Sequence, residues 1–493
     1  MVLVSKSFGR VFIRQNPGVY TFANQMGVTG LDKSFGEVTA IEIPSPLEYD
    51  KFIEVASSNG ADSRWTSSLS GYLPRDTMSP LEILATNKCE FSMQVHYGEC
   101  SKPTNFADFD SAIVLNNVKL TNYSLSDLIA RTSDQRGMVE ETASISAGSM
   151  YRILPQKFIE TAKATLNNLI LSNPVQVKSS ACTNIQAQCN GGCDIYVAAF
   201  ASNDGTRGFV YTLDSGITWT RQNVAGFTID NNSADGNIFF TFFDGTDLVV
   251  LMEAKVSGVK KTLIYRMPVS SLGVTTATVT NLVTVNTITM KAADVGSRYI
   301  FIAGGSTKAE IWVFDLSLNT LSLLHQNTTV VGFMTCISAM NDDNVIAFNG
   351  NNDYIISNTY GLFTAGKLPN VSGSLPLSCT YLSDFSIVVS THYDIKVTNN
   401  GGRLWNTTSA LASSSINHMQ FYDNITGYLF NSSGIHRTLD GGYTWIKLFD
   451  LPSTSLGLSR KLALCPSNPN FIVGVAGPTT VGSNLTSVII GKS

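Results

Sequence analysis

The chain has 493 residues, 43% of them hydrophobic and 14% charged, with a formal net charge of −4. That length supports two or more domains with full cores, and the abundance of Ser, Thr, Asn and Gly fits a β-rich protein with many polar turns rather than a disordered chain. No basic stripe is present to release counterions from a polyanion, so tight nucleic-acid binding is excluded. Apolar runs are broken, as at Asp244, Gly245 and Asp247, so no membrane insertion is expected.

Lys6, Arg10 and Arg14 interrupt the apolar start, and no signal peptide is expected there. Residues 1–160 carry the whole charge excess, 14 Lys and Arg against 18 Asp and Glu. Strands are expected at 37–43, 91–96, 112–120 and 142–146. Ser79-Pro80-Leu-Glu82 opens a helix with a capping Ser, Pro in the first turn and a capping-box Glu. Ser124-Leu-Ser-Asp127 is expected to open another, which makes residues 1–158 an α+β unit.

Four stretches of this region resemble tail-tube subunits of tailed bacteriophages. They are Tyr49-Asp-Lys-Phe52, Ser68-Leu-Ser-Gly-Tyr-Leu-Pro-Arg75, Phe91-Ser-Met-Gln-Val-His-Tyr-Gly98 with Cys100 after it, and Asn122-Tyr-Ser-Leu-Ser-Asp-Leu128 followed by Glu140-Glu-Thr142. The resemblance implies a tube-type β-sandwich or barrel that self-associates into hexameric rings, contacts other virion tail proteins, and ends in the virion tail after synthesis in the host cytoplasm. The acidic balance agrees with a lumen that does not retain phosphate. Strand addition between neighbours would suit ring formation.

Residues 159–179 read as a connector, with 166–177 as a candidate closing strand for the C-terminal region. Cys182, Cys189 and Cys193 cluster, but with no paired C-x-x-C and no nearby His they read as ordinary strand and turn cysteines; a disulfide among them stays open, and no metal or other cofactor is expected. The N-x-S/T triplets, including those at Asn327 and Asn431, read as turn composition rather than as glycosylation sites.

From residue 180 onward a repeat takes over. Thr212-Leu-Asp214-Ser-Gly216-Ile-Thr-Trp219, Thr398-Asn-Asn400-Gly-Gly402-Arg-Leu-Trp405 and Thr438-Leu-Asp440-Gly-Gly442-Tyr-Thr-Trp445 share [S/T]-x-[D/N]-x-G-x-x-W, and Ser357-Asn-Thr359-Tyr-Gly361-Leu-Phe363 is a worn copy. The spacing of about 40 residues matches one four-stranded propeller blade. An acid or amide can collect turn N–H groups, Gly supplies positive φ, and Trp buries its ring between blades. One strand per blade near 211, 265, 312, 355, 396, 436 and 489 gives six or seven blades, and a ring has no open edge.

The segments at Thr212, Asp214, Gly216 and Trp219, at Thr398, Asn400, Gly402 and Trp405, and at Thr438, Asp440, Gly442 and Trp445 resemble the Asp-box, or BNR-repeat, propellers of sialidases, sortilin-type receptors and photosystem assembly factors. In that family the boxes are structural and peripheral, so the fold expected is mainly β: a tube-type domain followed by a propeller over 180–493. A sialidase needs an arginine triad for its substrate carboxylate. Only seven arginines follow residue 180, and Arg221, Arg403 and Arg437 adjoin box turns. No catalytic residue is assigned and no enzyme activity is expected; Tyr265-Arg-Met-Pro268 stands out of place for the sialidase pattern. The functions left are a tail-tube subunit with a decorating propeller, an adhesin binding a host surface glycan or protein, and, least favoured, a glycosidase.

Overall fold

The computed structural model describes residues 9–15, 20–34, 64–74, 78–87, 90–97, 111–127, 138–154, 157–160, 186–189, 194–201, 207–215, 220–223, 237–274, 280–286, 290–305, 307–369, 375–408, 416–450, 456–478 and 487–492. These divide into two compact units, Met1–Pro155 and Gln156–Ser493.

The first unit is a closed six-stranded barrel. Its strands are β1 (Gly9–Gln15), β2 (Thr21–Ser34), β3 (Arg64–Pro74), β4 (Phe91–Tyr97), β5 (Ser111–Asp127) and β6 (Met138–Ile153), in the order β1-β2-β3-β6-β5-β4 with β4 returning to β1. Strict alternation on β6 explains the packing: Ala143, Ile145 and Ala147 enter a core with Leu69, Met93, Leu115 and Val118, while Thr142, Ser144 and Ser146 face out. Glu141 is fully buried but satisfied, accepting from Asn24 Nδ2 at 2.8 Å and Tyr123 Oη at 3.0 Å.

A single α-helix, α1 (Pro80–Asn87), is found among the described residues; Leu81 donates its N–H to Ser79 Oγ at 3.1 Å, and Leu81 and Leu84 join the barrel core. The second expected helix is absent. Ser124 lies in β5 opposite Thr142, with their hydroxyls 2.6 Å apart, so the described residues of this unit form a barrel with one short α-helix. Cap-like composition also suits a polar strand face, and ladder pairing decided between them. The strand expected at 37–43 lies outside the described residues.

The barrel's sheet runs on past its closure. Beyond Met26, β2 continues to Ser34 paired only with β3, and beyond Val118, β5 continues to Asp127 paired only with β6, among the described residues. The outer face of this extension is a ladder of polar side chains, small in its middle, in rows: Thr66–Ser146–Lys119, Ser68–Ser144–Asn122, Ser70–Thr142–Ser124 and Tyr72–Glu140–Ser126.

The second unit is a β-propeller of seven four-stranded antiparallel sheets. Blades 1 to 6 span 186–223, 237–286, 290–327, 334–367, 376–407 and 416–450. The seven positions expected to mark one strand per blade all fall in third strands, from Arg207–Thr212 to Ser487–Lys492. The innermost strands, Gln186–Cys189, Asn237–Asp244, Met290–Val295, Met334–Ala339, Pro376–Ser383, Ile416–Phe421 and Leu456–Cys465, adjoin one another in that order, and the last adjoins the first.

Blade 7 closes the ring in a way the sequence did not reveal. Its strands Leu456–Cys465, Asn468–Pro478 and Ser487–Lys492 are joined by β7 (Lys157–Glu160), which pairs from Lys157↔Lys492 to Glu160↔Ile489. The expected boundary at 158 therefore cuts the closing strand, and the expected donor, 166–177, lies outside the described residues. Short chain segments carry no periodicity strong enough to mark such a strand.

Candidate functional site

Each innermost strand faces the ring centre with one edge that has no neighbour in its own sheet. In five consecutive blades the ladder slips at the same place, between Ile238 and Phe240, Met290 and Ala292, Met334 and Cys336, Pro376 and Ser378, and Ile416 and His418. Such bulges bend a strand and re-aim its side chains. Here they line a cavity of about 250 Å³ whose walls include Phe240, Asp294, Cys336, Cys379, His418 and Lys461.

Polar side chains from one inner strand capture the backbone of the next. Asp294 Oδ2 accepts the N–H of Ala339 at 2.9 Å, Ser338 Oγ that of Tyr381 at 3.1 Å, His418 Nδ1 that of Leu462 at 3.1 Å and Gln420 Oε1 that of Leu464 at 3.3 Å. Ser378 Oγ donates to the carbonyl of Met419 at 3.0 Å. These bonds satisfy groups that the inner edges would otherwise leave unpaired.

Burial sets the electrostatics of the cavity. It pushes the Asp294 carboxyl up to about 6, against the lowering effect of N–H donors from Ala339 and Val295. It drives His418 well below the ordinary imidazole range, with the Lys461 charge as a second cause, and brings Lys461 down to about 8. The Cys379 thiol is pushed well up by burial and then by its hydrogen bond with Cys336; both cysteines are free. At neutral pH the cavity holds one ammonium, a neutral imidazole and one hydrogen-bonded carboxylate, beside two free cysteines.

The residues singled out from sequence lie elsewhere, on turns between third and fourth strands. In blade 6, Asp440 Oδ1 accepts from Thr438 Oγ1 at 2.7 Å and Thr444 N at 2.9 Å, while Gly442 N donates to Thr438 Oγ1 at 2.9 Å with φ +91°. Blade 5 repeats this: Asn400 Oδ1 accepts from Thr398 Oγ1 and Leu404 N, and Gly402 N donates to Thr398 Oγ1. In blade 1, Thr212 Oγ1 donates to Asp214 Oδ1 at 2.6 Å; Gly216 and Trp219 lie outside the described residues. Trp405 packs edge-on to Phe348 and Tyr354 of blade 4, and Trp445 Nε1 donates to the Gly442 carbonyl. None of these residues lines the cavity.

Tyr265 is wholly buried and Arg266 pairs with Asp244 and Asp247 at a blade turn. Two N-x-S/T triplets are turns: Asn327 Oδ1 accepts from Thr329 and Val330 N–H, and Asn431 Oδ1, fully buried, from Ser433 and Gly434 N–H. Cys465 is disulfide-bonded, and its partner falls outside the described side chains. Sequence reading missed Asp294, Gln420 and Lys461 altogether. The signal available was spacing alone: Ala292, Cys336, Ser378 and His418 come just after their bulges at intervals near the blade period but share no residue type.

No family model and no curated protein matches the chain. Among solved structures, YCF48 bound to a D1 peptide is similar at 13% identity and a TM-score of 0.45, over 69% of this chain and 96% of that one. YCF48 from Cyanidioschyzon merolae is similar at 12% identity and 0.43, over 68% and 98%. Raptor from Chaetomium thermophilum is similar at 8% identity and 0.43, over 62% and 28%. At these scores the likenesses say nothing of what the chain does, and the propeller fold is established by its own strand pairing.

Proposed function

We propose that this chain is a virion structural protein, a tail-tube subunit whose barrel assembles into rings and whose propeller, of the Asp-box type, decorates the tail exterior. The observation that carries this reading is the pair of edges left open among the described residues, β2 from Val28 to Ser34 and β5 from Lys119 to Asp127, flanking one continuous sheet. An unpaired edge on each side of a sheet suits head-to-tail pairing between copies, which closes into a ring when the rotation permits. The hydroxyl ladder of Ser68, Ser70, Thr142, Ser144 and Ser124, with Lys119 and Glu140 at its two ends, would then form a lumen wall with no excess positive charge to hold a passing phosphate backbone. The four resembling stretches of sequence support the same reading.

Negative-stain imaging of the full chain tests it. Rings or stacked rings with lateral knobs are expected; isolated particles at every concentration would overturn it. A propeller adhesin for a host glycan or protein is the second reading, favoured by the cavity at the ring centre.

A further inference from the structure

The blade-to-blade hydrogen bonds sort the donors and acceptors of the central cavity. His418 spends Nδ1 on Leu462, so its ring proton sits on Nε2; Gln420 spends Oε1 on Leu464, so its amide nitrogen is the free end. Lys461, on the adjoining strand, brings an ammonium. No described residue accepts from any of these three groups. One wall of the cavity thus presents three side-chain donors, a single cation among them, and the bonds to Leu462 and Leu464 orient two of the three.

We propose that this wall, formed by His418, Gln420 and Lys461 of blades 6 and 7, is a binding site for a small monocarboxylate. The ammonium supplies the charge, and the imidazole and amide N–H groups complete the two carboxylate oxygens. A volume of about 250 Å³ fits an acid of a few carbon atoms rather than a drug-sized ligand. Asp294, from blade 3, lines the same cavity with its oxygens turned to Val295 and Ala339. Its charge, set against a single lysine, disfavours a dianion such as hydrogen phosphate, whose desolvation one cation cannot offset. Cys336 and Cys379, the other titratable groups facing the site, are thiols.

Saturation-transfer NMR of the full chain with acetate as the probe tests the site. Saturable transfer is expected at pH 7, weakening about 30-fold by pH 9.5 as an amine titrating near 8 loses its proton. Lys461→Met should abolish it, and Lys461→Arg should retain part of it. Phosphate should compete more weakly than acetate. Absence of saturable transfer at pH 7, an affinity flat from pH 7 to 9.5, or phosphate competing better than acetate would each overturn the proposal; the wild-type pH series decides the matter if a variant fails to fold.

Discussion

His418 of blade 6 accepts the N–H of Leu462 of blade 7 on its Nδ1 at 3.1 Å, so a proton added to this imidazole must break a bond between blades. Burial already holds its pKa well below that of the unfolded chain. A base depressed in the fold leaves the unfolded state binding more protons, so stability is lost as pH falls below about 6.5. His436, lowered to about 4 by burial, adds a slope of the same sign, whereas Asp294, raised to about 6, opposes both. The informative quantity is therefore a difference. His418→Gln can keep the acceptor without the titration, and its melting temperature should fall less than that of wild type between pH 6.5 and 5.

Lys461 offers the opposite test at alkaline pH. Its folded pKa near 8 lies below the unfolded value, so the charge destabilises the fold below pH 8 and this penalty is relieved between about 8 and 10.5. Lys461→Met should raise stability at pH 7 by on the order of 2 kcal/mol and lose the advantage by pH 10.5. Chemical denaturation at both pH values reads it directly.

Asp440 is 2% exposed and accepts from Thr438, from the N–H of Thr444 and from its hydroxyl. Replacement by Ala strands buried donors and should cost roughly 1–3 kcal/mol. Asn400 makes the equivalent bonds through one oxygen alone, so Asn400→Asp should be near neutral. A clear gain in stability from Asn400→Asp in thermal melts would mean that charge, not acceptor geometry, stabilises these turns.

Tyr354 of blade 4 donates its buried hydroxyl to the carbonyl of Gly402 in the blade 5 turn, at 2.8 Å. Tyr354→Phe should cost about 1 kcal/mol and leave the ring intact. A loss several times larger, measured by the same melts, would show that the turn collapses without this tie.

Fragment boundaries give a sharper test of the fold. A fragment of residues 156–493 retains β7 and should be a monomer by light scattering. One starting at residue 165 leaves Ser487–Lys492 as a bare edge, and should melt lower and self-associate. Indistinguishable fragments would mean that β7 is dispensable.

What could be read in the sequence was whatever repeats in residue type. Thr438, Asp440, Gly442 and Trp445 announce a blade because a tight turn admits few residues, and their spacing located the third strands. The inner strands repeat in geometry alone: Asp294, Ser338, His418 and Gln420 perform one task with four chemistries, since any acceptor of suitable length can take a neighbour's N–H. In the barrel, β3 is hard to read because Ser68, Ser70 and Gly71 dilute the apolar alternation that marks a strand. Four residues were too few to mark β7.

That closing strand also orders events in time. β7 leaves the ribosome well before its partner Ser487–Lys492, which lies about 330 residues further along the chain. At ordinary synthesis rates the two are separated by roughly 15–65 s. Through that interval the barrel has all its strands while the propeller has none of its closing pairs, so a nascent chain exposes Lys157–Glu160 as an unmatched edge. A ribosome stalled late in this message would present a barrel tethered to an open ring, the species a chaperone would have to recognise.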